Sequence, residues 1–551
     1  MIRPRAKFDF GTALALLFCT LFLALGTLLL ADVGLETDEG LFAAALYPPF
    51  NRDFTIRVFR HQLPLMVMTY VGATKAWLYA PILALIPPST FLVRFLSLLI
   101  GACTLLVFYW FVRKMLGNAP AIAAVALLST DPMFLLTIKW DWGPVAIQHF
   151  CLASTCLLLT IYYETRALRY LACGFFLLGL GLWDKALFAW LTIGLAVAAA
   201  TVCYREIRAV INRRAVAVAL TAFVAGCFPL LLYNVKHQFI TFTSTTHWSR
   251  DGIADKIDLV RATLEGSALF AVITREPGPG AIRQPATITQ RVIVRLDEMV
   301  GSPRKGLQWY AFILGVAASP FLLRRQRRVI MFALVFLLIT WSIMAFTKNA
   351  GNGVHHTILL WPMPQIVIAS VVALAARRRY LIGVIGSVAF VIAIALGNVL
   401  ALNTYYADEI RNGGTVAWTD AFDALSLDLS ARHPDAVYVL DWGFLDNLRL
   451  LHKGKIYLET FRKPETVEER KHTGADLRNR NILYLSHTDG NVFSIATSSN
   501  SWHSPLKPAI ENECSGHSPI GTAVQSSKCL DLRARLSDPG TRTNWTQSVL
   551  C

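Results

Sequence analysis

Apolar windows close to twenty residues long recur along this chain, and no other feature restricts its fold as much. They fall at about 9–31, 92–112, 118–137, 144–163, 168–183, 186–203, 216–233, 308–323, 329–346, 357–376 and 381–401. A helix rising about 1.5 Å per residue needs roughly 20 residues to cross the hydrocarbon core of a bilayer. No water reaches the backbone there, so each crossing segment must satisfy its own N–H and C=O groups as a helix. The pattern therefore predicts a polytopic α-helical membrane protein with about eleven transmembrane helices. Composition agrees, because 16% of the 551 residues are charged where a soluble domain carries about 25%. The opening run, MIRPRAKFDFGTALALLFCTLFLALGTLLLA, is too long for the core of a secretory signal and reads as a retained first span.

The formal charge of +16 does not point to nucleic acid, because its basic residues come as short clusters between apolar runs. Those clusters are Arg3/Arg5/Lys7, Arg113/Lys114, Arg166/Arg169, Arg205/Arg208/Arg213/Arg214, Arg324/Arg325/Arg327/Arg328 and Arg377/Arg378/Arg379. Positive residues in short loops stay cytoplasmic. Eleven helices in strict alternation put all six clusters on one side, with the amino terminus inside. The other face then takes a first outer loop (32–91), the turns at 131–143 and 183–185, a long segment (234–307), the turn at 347–356 and the tail from 402. The expected location is a membrane crossed many times, with membrane lipids as constant partners.

Within the first outer loop, Thr37 is placed to cap a helix beginning at Asp38. The apolar stretch 63–88 would invert every later cluster if it crossed the bilayer, so it is expected to form helices lying in the interface. The sequence divides into a transmembrane domain (1–401) and a small extracytoplasmic α/β domain (402–551). In the latter, AVYVLDWGFLDNLRLL reads as strand, turn and helix, with KIYLETF and NILYLSHTDG as further strands. The last fifty residues, rich in Ser, Pro and Asn, carry the composition of a poorly ordered tail. Seven of ten cysteines lie in or beside apolar spans, where cysteine acts as a small hydrophobe. Outside the cytoplasm, two of Cys514, Cys529 and Cys551 could pair, in a combination the sequence leaves open.

The residues able to carry chemistry gather on the outer face. Asp38 and Glu39 follow the first span; two acids at a helix start also describe a plain stabilising cap. A carboxylate near low dielectric gains basicity, which suits a general base. Asp131, Lys139 and Asp141 lie within eleven positions at one membrane surface. Such charges are costly unless paired or in a water-filled cavity, although Asp131-Pro132 and Asp141/Gly143/Pro144 also read as helix punctuation. Lys185 beside Asp184 is placed to neutralise a phosphate, or simply to pair or snorkel. His355 and His356 open a span among glycines. Adjacent helical positions diverge by about 100° and rarely share one metal ion, so hydrogen bonding to a phosphate or sugar fits better than a metal site, with a bland helix-terminus pair as the alternative. His61, with Arg60, is a further candidate on the first loop. No Walker loop, GxSxG, HExxH or CxxC is present, so nucleotide-driven pumping, serine hydrolysis and zinc proteolysis have no support.

The segments TDEG (37–40), DPMFLLTIKWDWGP (131–144) and GNGVHHTILLWP (351–362) resemble those of the GT-C superfamily of membrane glycosyltransferases. More narrowly, they are similar to bacterial members of glycosyltransferase family 39, related to protein O-mannosyltransferases and lipid A aminoarabinose transferases. The likeness spans residues 1–400 or so. It implies a sugar donor on a polyprenyl phosphate, transferred outside the cytoplasm with inversion to a lipid, glycan or protein acceptor. By the same resemblance Asp38 matches the catalytic first-loop carboxylate, with Glu39 beside it. Two departures stand out: His61-Gln62-Leu63-Pro64 replaces a His-Pro-Pro run, and the C-terminal domain does not match the MIR module of eukaryotic relatives. Residues and resemblance meet on one scheme. Asp38 takes the acceptor proton, Lys139, Lys185, His355 and His356 stabilise the departing phosphate, and Asp131 and Asp141 orient those cations or bind sugar hydroxyls. A divalent cation is compatible with this chemistry but not required. Two other readings compete: a transporter or flippase for a lipid-linked sugar, which would put its ionisable groups near the bilayer midplane, and a non-catalytic assembly subunit, for which Asp38 would be dispensable.

Overall fold

A computed structural model describes residues 9–497 except 49–53, 60, 246, 277–282, 349, 377–380, 416–417, 420, 441–442, 461–480 and 488–492. The cysteines Cys514, Cys529 and Cys551 and the polar tail lie outside the described residues.

The chain opens with α1 (Phe10–Thr27), capped by the Asp9 side chain. The first outer loop follows, with α2 (Thr37–Ala43), β1 (Phe54–Val58), β2 (His61–Met68), β3 (Val71–Gly72) and α3 (Thr74–Leu85). Within 63–88 only the second half is helical, as α3. Its first half is the central strand of an antiparallel sheet ordered β1-β2-β3. Pro64 sits in the strand because its register shifts beside it, and its free carbonyl accepts the Trp77 indole N–H at 2.8 Å. The cap also differs from expectation. Glu36, not Thr37, is the N-cap of α2, and its carboxylate accepts the Asp38 N–H at 2.6 Å. Glu39 reaches back to the Glu36 N–H at 3.1 Å and closes a capping box.

The bundle continues with α4 (Thr90–Leu116), α5 (Asn118–Thr130), α6 (Pro132–Lys139), α7 (Val145–Thr165), α8 (Leu168–Asp184), α9 (Phe188–Val202), α10 (Tyr204–Val210) and α11 (Arg213–Lys236). The long outer segment holds α12 (Ile240–Thr245), α13 (Ile253–Glu265) and α14 (Ile288–Val300). Then come α15 (Gln308–Ala318), α16 (Arg324–Phe346), α17 (Val354–Thr357), α18 (Met363–Ala376) and α19 (Leu381–Asn412). Small residues let these helices approach. A Cβ at Gly179 of α8 would lie 2.2 Å from the Phe223 carbonyl of α11, and one at Gly226 of α11 would lie 2.2 Å from the Phe176 carbonyl of α8.

Six described helices (α1, α4, α7, α11, α16 and α19) are long and apolar enough to cross a membrane alone. Three bent pairs raise the number to nine: α5 with α6 (56°), α9 with α10 (92°), and α17 with its following turn and α18 (42°). The chain is a multi-pass membrane protein. Two of the eleven expected windows, at α8 and α15, hold helices of 17 and 11 residues that fall below the spanning length by themselves.

Beyond α19 lie α20 (Ala421–Arg432), β4 (Ala436–Val439), α21 (Leu445–Leu451), β5 (Leu458–Thr460), β6 (Ile482–His487) and β7 (Phe493–Thr497). The strands form a sheet ordered β5-β4-β6-β7, parallel except for the last pair. Its core is Val437, Val439, Leu458, Leu483 and Leu485, closed by Phe422, Leu425 and Leu429 of α20 and Leu448 of α21. Helix α21 also packs on the first outer loop, where Asn447 donates to the Leu35 carbonyl at 2.8 Å.

Candidate active site

Four separate segments converge on Asp38. The capping box fixes α2, so Asp38 leaves its second position half-buried. Its carboxylate accepts the Gly143 N–H and lies in the field of Lys185 and Lys75. Gly143 belongs to the turn between α6 and α7, where φ is +75°, the left-handed region that favours glycine. A Cβ there would come within 2.9 Å of Lys185 Nζ and 3.0 Å of His355 Cδ2. Lys185 donates to the Gly143 carbonyl at 3.2 Å. The hairpin sets the position of that lysine: Val71 of β3 bridges Lys185, Ala186 donates to the Tyr70 carbonyl at 2.8 Å, and the Trp183 indole donates to the Leu65 carbonyl at 2.8 Å.

The buried pair Lys75–Asp141, at 2.6 Å, forms the floor. Asp184, the last residue of α8, is buried beside this pair and Lys185. His355 lies against Trp142, ring centroids 4.3 Å apart, and against His356 at 4.1 Å. His356 accepts the Gly351 N–H on Nδ1 at 3.3 Å. Burial raises the Asp38 carboxyl above its ordinary value, while Lys185 and Lys75 oppose the shift. Burial lowers the Lys185 ammonium, opposed by Asp38, Asp184 and Asp141. The arrangement is a raised carboxylate facing two lysines, with histidine and indole rings alongside.

The remaining predicted residues lie elsewhere. Glu39 is fully buried in a two-pronged pair with Arg94, whose Nε and NH2 each donate to it at 2.8 Å. Arg94 also donates to the Leu30, Val33 and Gly34 carbonyls, so its guanidinium ties α4 to the end of α1 and the start of α2. Asp131 caps α6 through Oδ1, as the Asp-Pro pattern predicts. Its Oδ2 accepts Trp361 Nε1 at 2.6 Å, Gln308 Nε2 at 2.9 Å and Gln365 Nε2 at 3.0 Å. Lys139 donates to the Leu28 carbonyl at 2.8 Å and lies over the Tyr406 ring. His61 opens β2 opposite Val58, and its side chain lies outside the described residues. Sequence reasoning missed Lys75 and Arg94. Both sit inside apolar runs, where an isolated charge signals a buried partner. Among the described residues, no group of three or more His, Cys, Asp or Glu is placed to hold a metal ion.

Residues 73–233 match the profile of the dolichyl-phosphate-mannose-protein mannosyltransferase family. That stretch contains Lys75, Asp141, Gly143 and Lys185 but neither Asp38 nor His355. The fold resembles ArnT from Cupriavidus metallidurans in its apo state (14% identity, 88% of this chain and 94% of that one, TM-score 0.54). It also resembles ArnT from that organism bound to undecaprenyl phosphate (12% identity, 87% and 94%, TM-score 0.52). The fold is shared with these ArnT structures. The apo oligosaccharyltransferase of Archaeoglobus fulgidus also aligns (12% identity, 87% and 70%, TM-score 0.49). No curated protein sequence matches the chain. The described charge cluster comes from α2, α3, the α6–α7 turn, the α8–α9 turn and α17.

Proposed function

We propose that the protein transfers a sugar from a polyprenyl-phosphate-linked donor to an acceptor hydroxyl or amine on the extracytoplasmic face, with inversion at the anomeric carbon. The observation that carries this reading is Asp38, held by the Gly143 N–H in the field of Lys185 and Lys75 at the mouth of the bundle. The acceptor oxygen or nitrogen bonds to the anomeric carbon as its proton passes to Asp38. The bond from that carbon to the phosphate oxygen breaks, and the electron pair leaves with the polyprenyl phosphate. Lys185 and Lys75 stabilise the leaving anion from fixed positions, and His355 hydrogen-bonds the phosphate or the sugar. Glu39 and Asp131 act by positioning, the first through Arg94 and the second through the donors gathered on its carboxylate. The bound lipid of the ArnT structure and the family match support a lipid-linked donor. The proposal includes eleven crossings, the amino terminus in the cytoplasm of a bacterial cell and the C-terminal sheet outside.

Membranes containing wild type or Asp38→Asn at matched expression, given labelled polyprenyl-phosphate sugars, test it. Loss of a positioned base predicts a fall of about 10²–10⁴-fold in transfer. Equal rates in the two would remove Asp38 from the mechanism.

A further inference from the structure

Helix α14 has two apolar faces, and only one is covered by the protein. Ile293, Val294 and Asp297 are buried against α19. Ile288 (73% exposed), Val292 (61%), Leu296 (36%), Met299 (76%) and Val300 (39%) are not. Stepping about 100° per residue, those five span an arc of about 120° that borders the face buried on α19. Arg291 and Arg295, both exposed, flank this arc on one edge, and among the described residues neither enters an ion pair.

The depth of the helix follows from its contacts. Asn403 donates to the Ile293 carbonyl at 3.0 Å and Thr404 to Asp297 at 2.8 Å. Arg411, further along α19, also donates to Asp297 at 2.6 Å and to the Val294 carbonyl at 3.4 Å, so α14 is fastened to the last turns of α19, from Asn403 onward. Helix α19 starts at Leu381, directly after the arginine cluster assigned to the cytoplasm. At about 1.5 Å per residue, Asn403 lies about 33 Å further on, just beyond a hydrocarbon core of about 30 Å.

We propose that α14 lies flat in the outer interface of the membrane, its stripe against the acyl-chain boundary and Arg291 and Arg295 on lipid phosphates. This reading needs the membrane topology but not the transfer chemistry. The full chain carrying Val292→Cys, Met299→Cys or Glu298→Cys is labelled with an environment-sensitive fluorophore in vesicles of phosphatidylcholine and phosphatidylglycerol, with the labelled wild type as baseline. At positions 292 and 299, nitroxide near the headgroup end of the acyl chain should quench at least about twofold more than nitroxide at the chain terminus. Aqueous iodide should reach only position 298. Nitroxide-bearing phosphatidylglycerol should quench more than the phosphatidylcholine form, and Arg291→Gln with Arg295→Gln should abolish that difference. Iodide access at all three positions would overturn the proposal, as would protection that vanishes when protein is diluted in lipid, the sign of a second copy covering the stripe.

Discussion

At the scale of single residues, the site works by opposed electrostatic demands. Asp38 must be ionised to accept a proton, and burial raises its carboxyl. The acid limb of the rate should therefore lie at higher pH than an ordinary aspartate would give. Lys185 must stay charged, and burial lowers it, so the basic limb moves toward neutrality and the working window narrows from both sides. Lys185→Met removes the charge that most opposes the Asp38 shift. Its acid limb should move further up in pH, along with a drop in kcat/KM, as read from a pH profile of sugar transfer. Gly143 is equally exposed to test. In Gly143→Ala the methyl group would displace Lys185 Nζ and the His355 ring from a backbone conformation that already disfavours alanine. Transfer should fall by about tenfold or more while the protein still inserts, since a misplaced catalytic group slows reaction steeply.

At the scale of elements, two acids that are adjacent in sequence act separately. Position 38 meets the field of Lys185 and Lys75 and position 39 pairs with Arg94, because consecutive helical residues diverge by about 100°. Removing one partner of a buried ion pair costs about 3–5 kcal/mol. Glu39→Gln or Arg94→Met should thus lower thermal stability and yield, and the double replacement should recover part of the loss. Fluorescence-detected unfolding of purified protein reads both. This pairing was half legible: a doublet after the first span marked the region, but the single charge in TFLVRFLSLLI, its structural partner, passed as part of an apolar window. The apolar run at 63–88 shows the converse. Its hydrophobicity suited either a buried strand or an interfacial helix, and pairing with β1, which no periodicity reveals, made the first half a strand. Lys75 was hidden for the same reason, since its counter-charge, Asp141, lies in a distant turn.

At the scale of the whole molecule, sidedness is the testable property. The proposed odd number of crossings would put the two ends on opposite faces, with the six basic clusters inside. Alkaline phosphatase fused after Asp435 should be active in cells, and the same reporter fused after Lys114 should be silent. Equal activity at both would mean an even number of spans between them. Local hydropathy located every long helix, but α8 and α15 are shorter than a bilayer is thick, so a count by length alone stops short of the count by charge. Cross-chain contacts such as Asn447 to Leu35 leave no local signature. The segment order of the C-terminal sheet was readable from its strand and helix runs, whereas its docking onto α2 was not.

The spacing of the polar partners bears on how the protein is made. Asp131 enters the membrane early in translation, yet the indole that approaches it most closely, at Trp361, lies 230 residues downstream. Gln365 follows slightly later, and Lys75 waits for Asp141. A nascent chain halted between these points leaves buried polar groups without their hydrogen-bond partners, which is costly away from water. Synthesis must therefore run almost to the end of the helical bundle before the earliest helices are at rest, and nonsense mutations anywhere upstream of residue 361 should yield fragments that are degraded rather than stored.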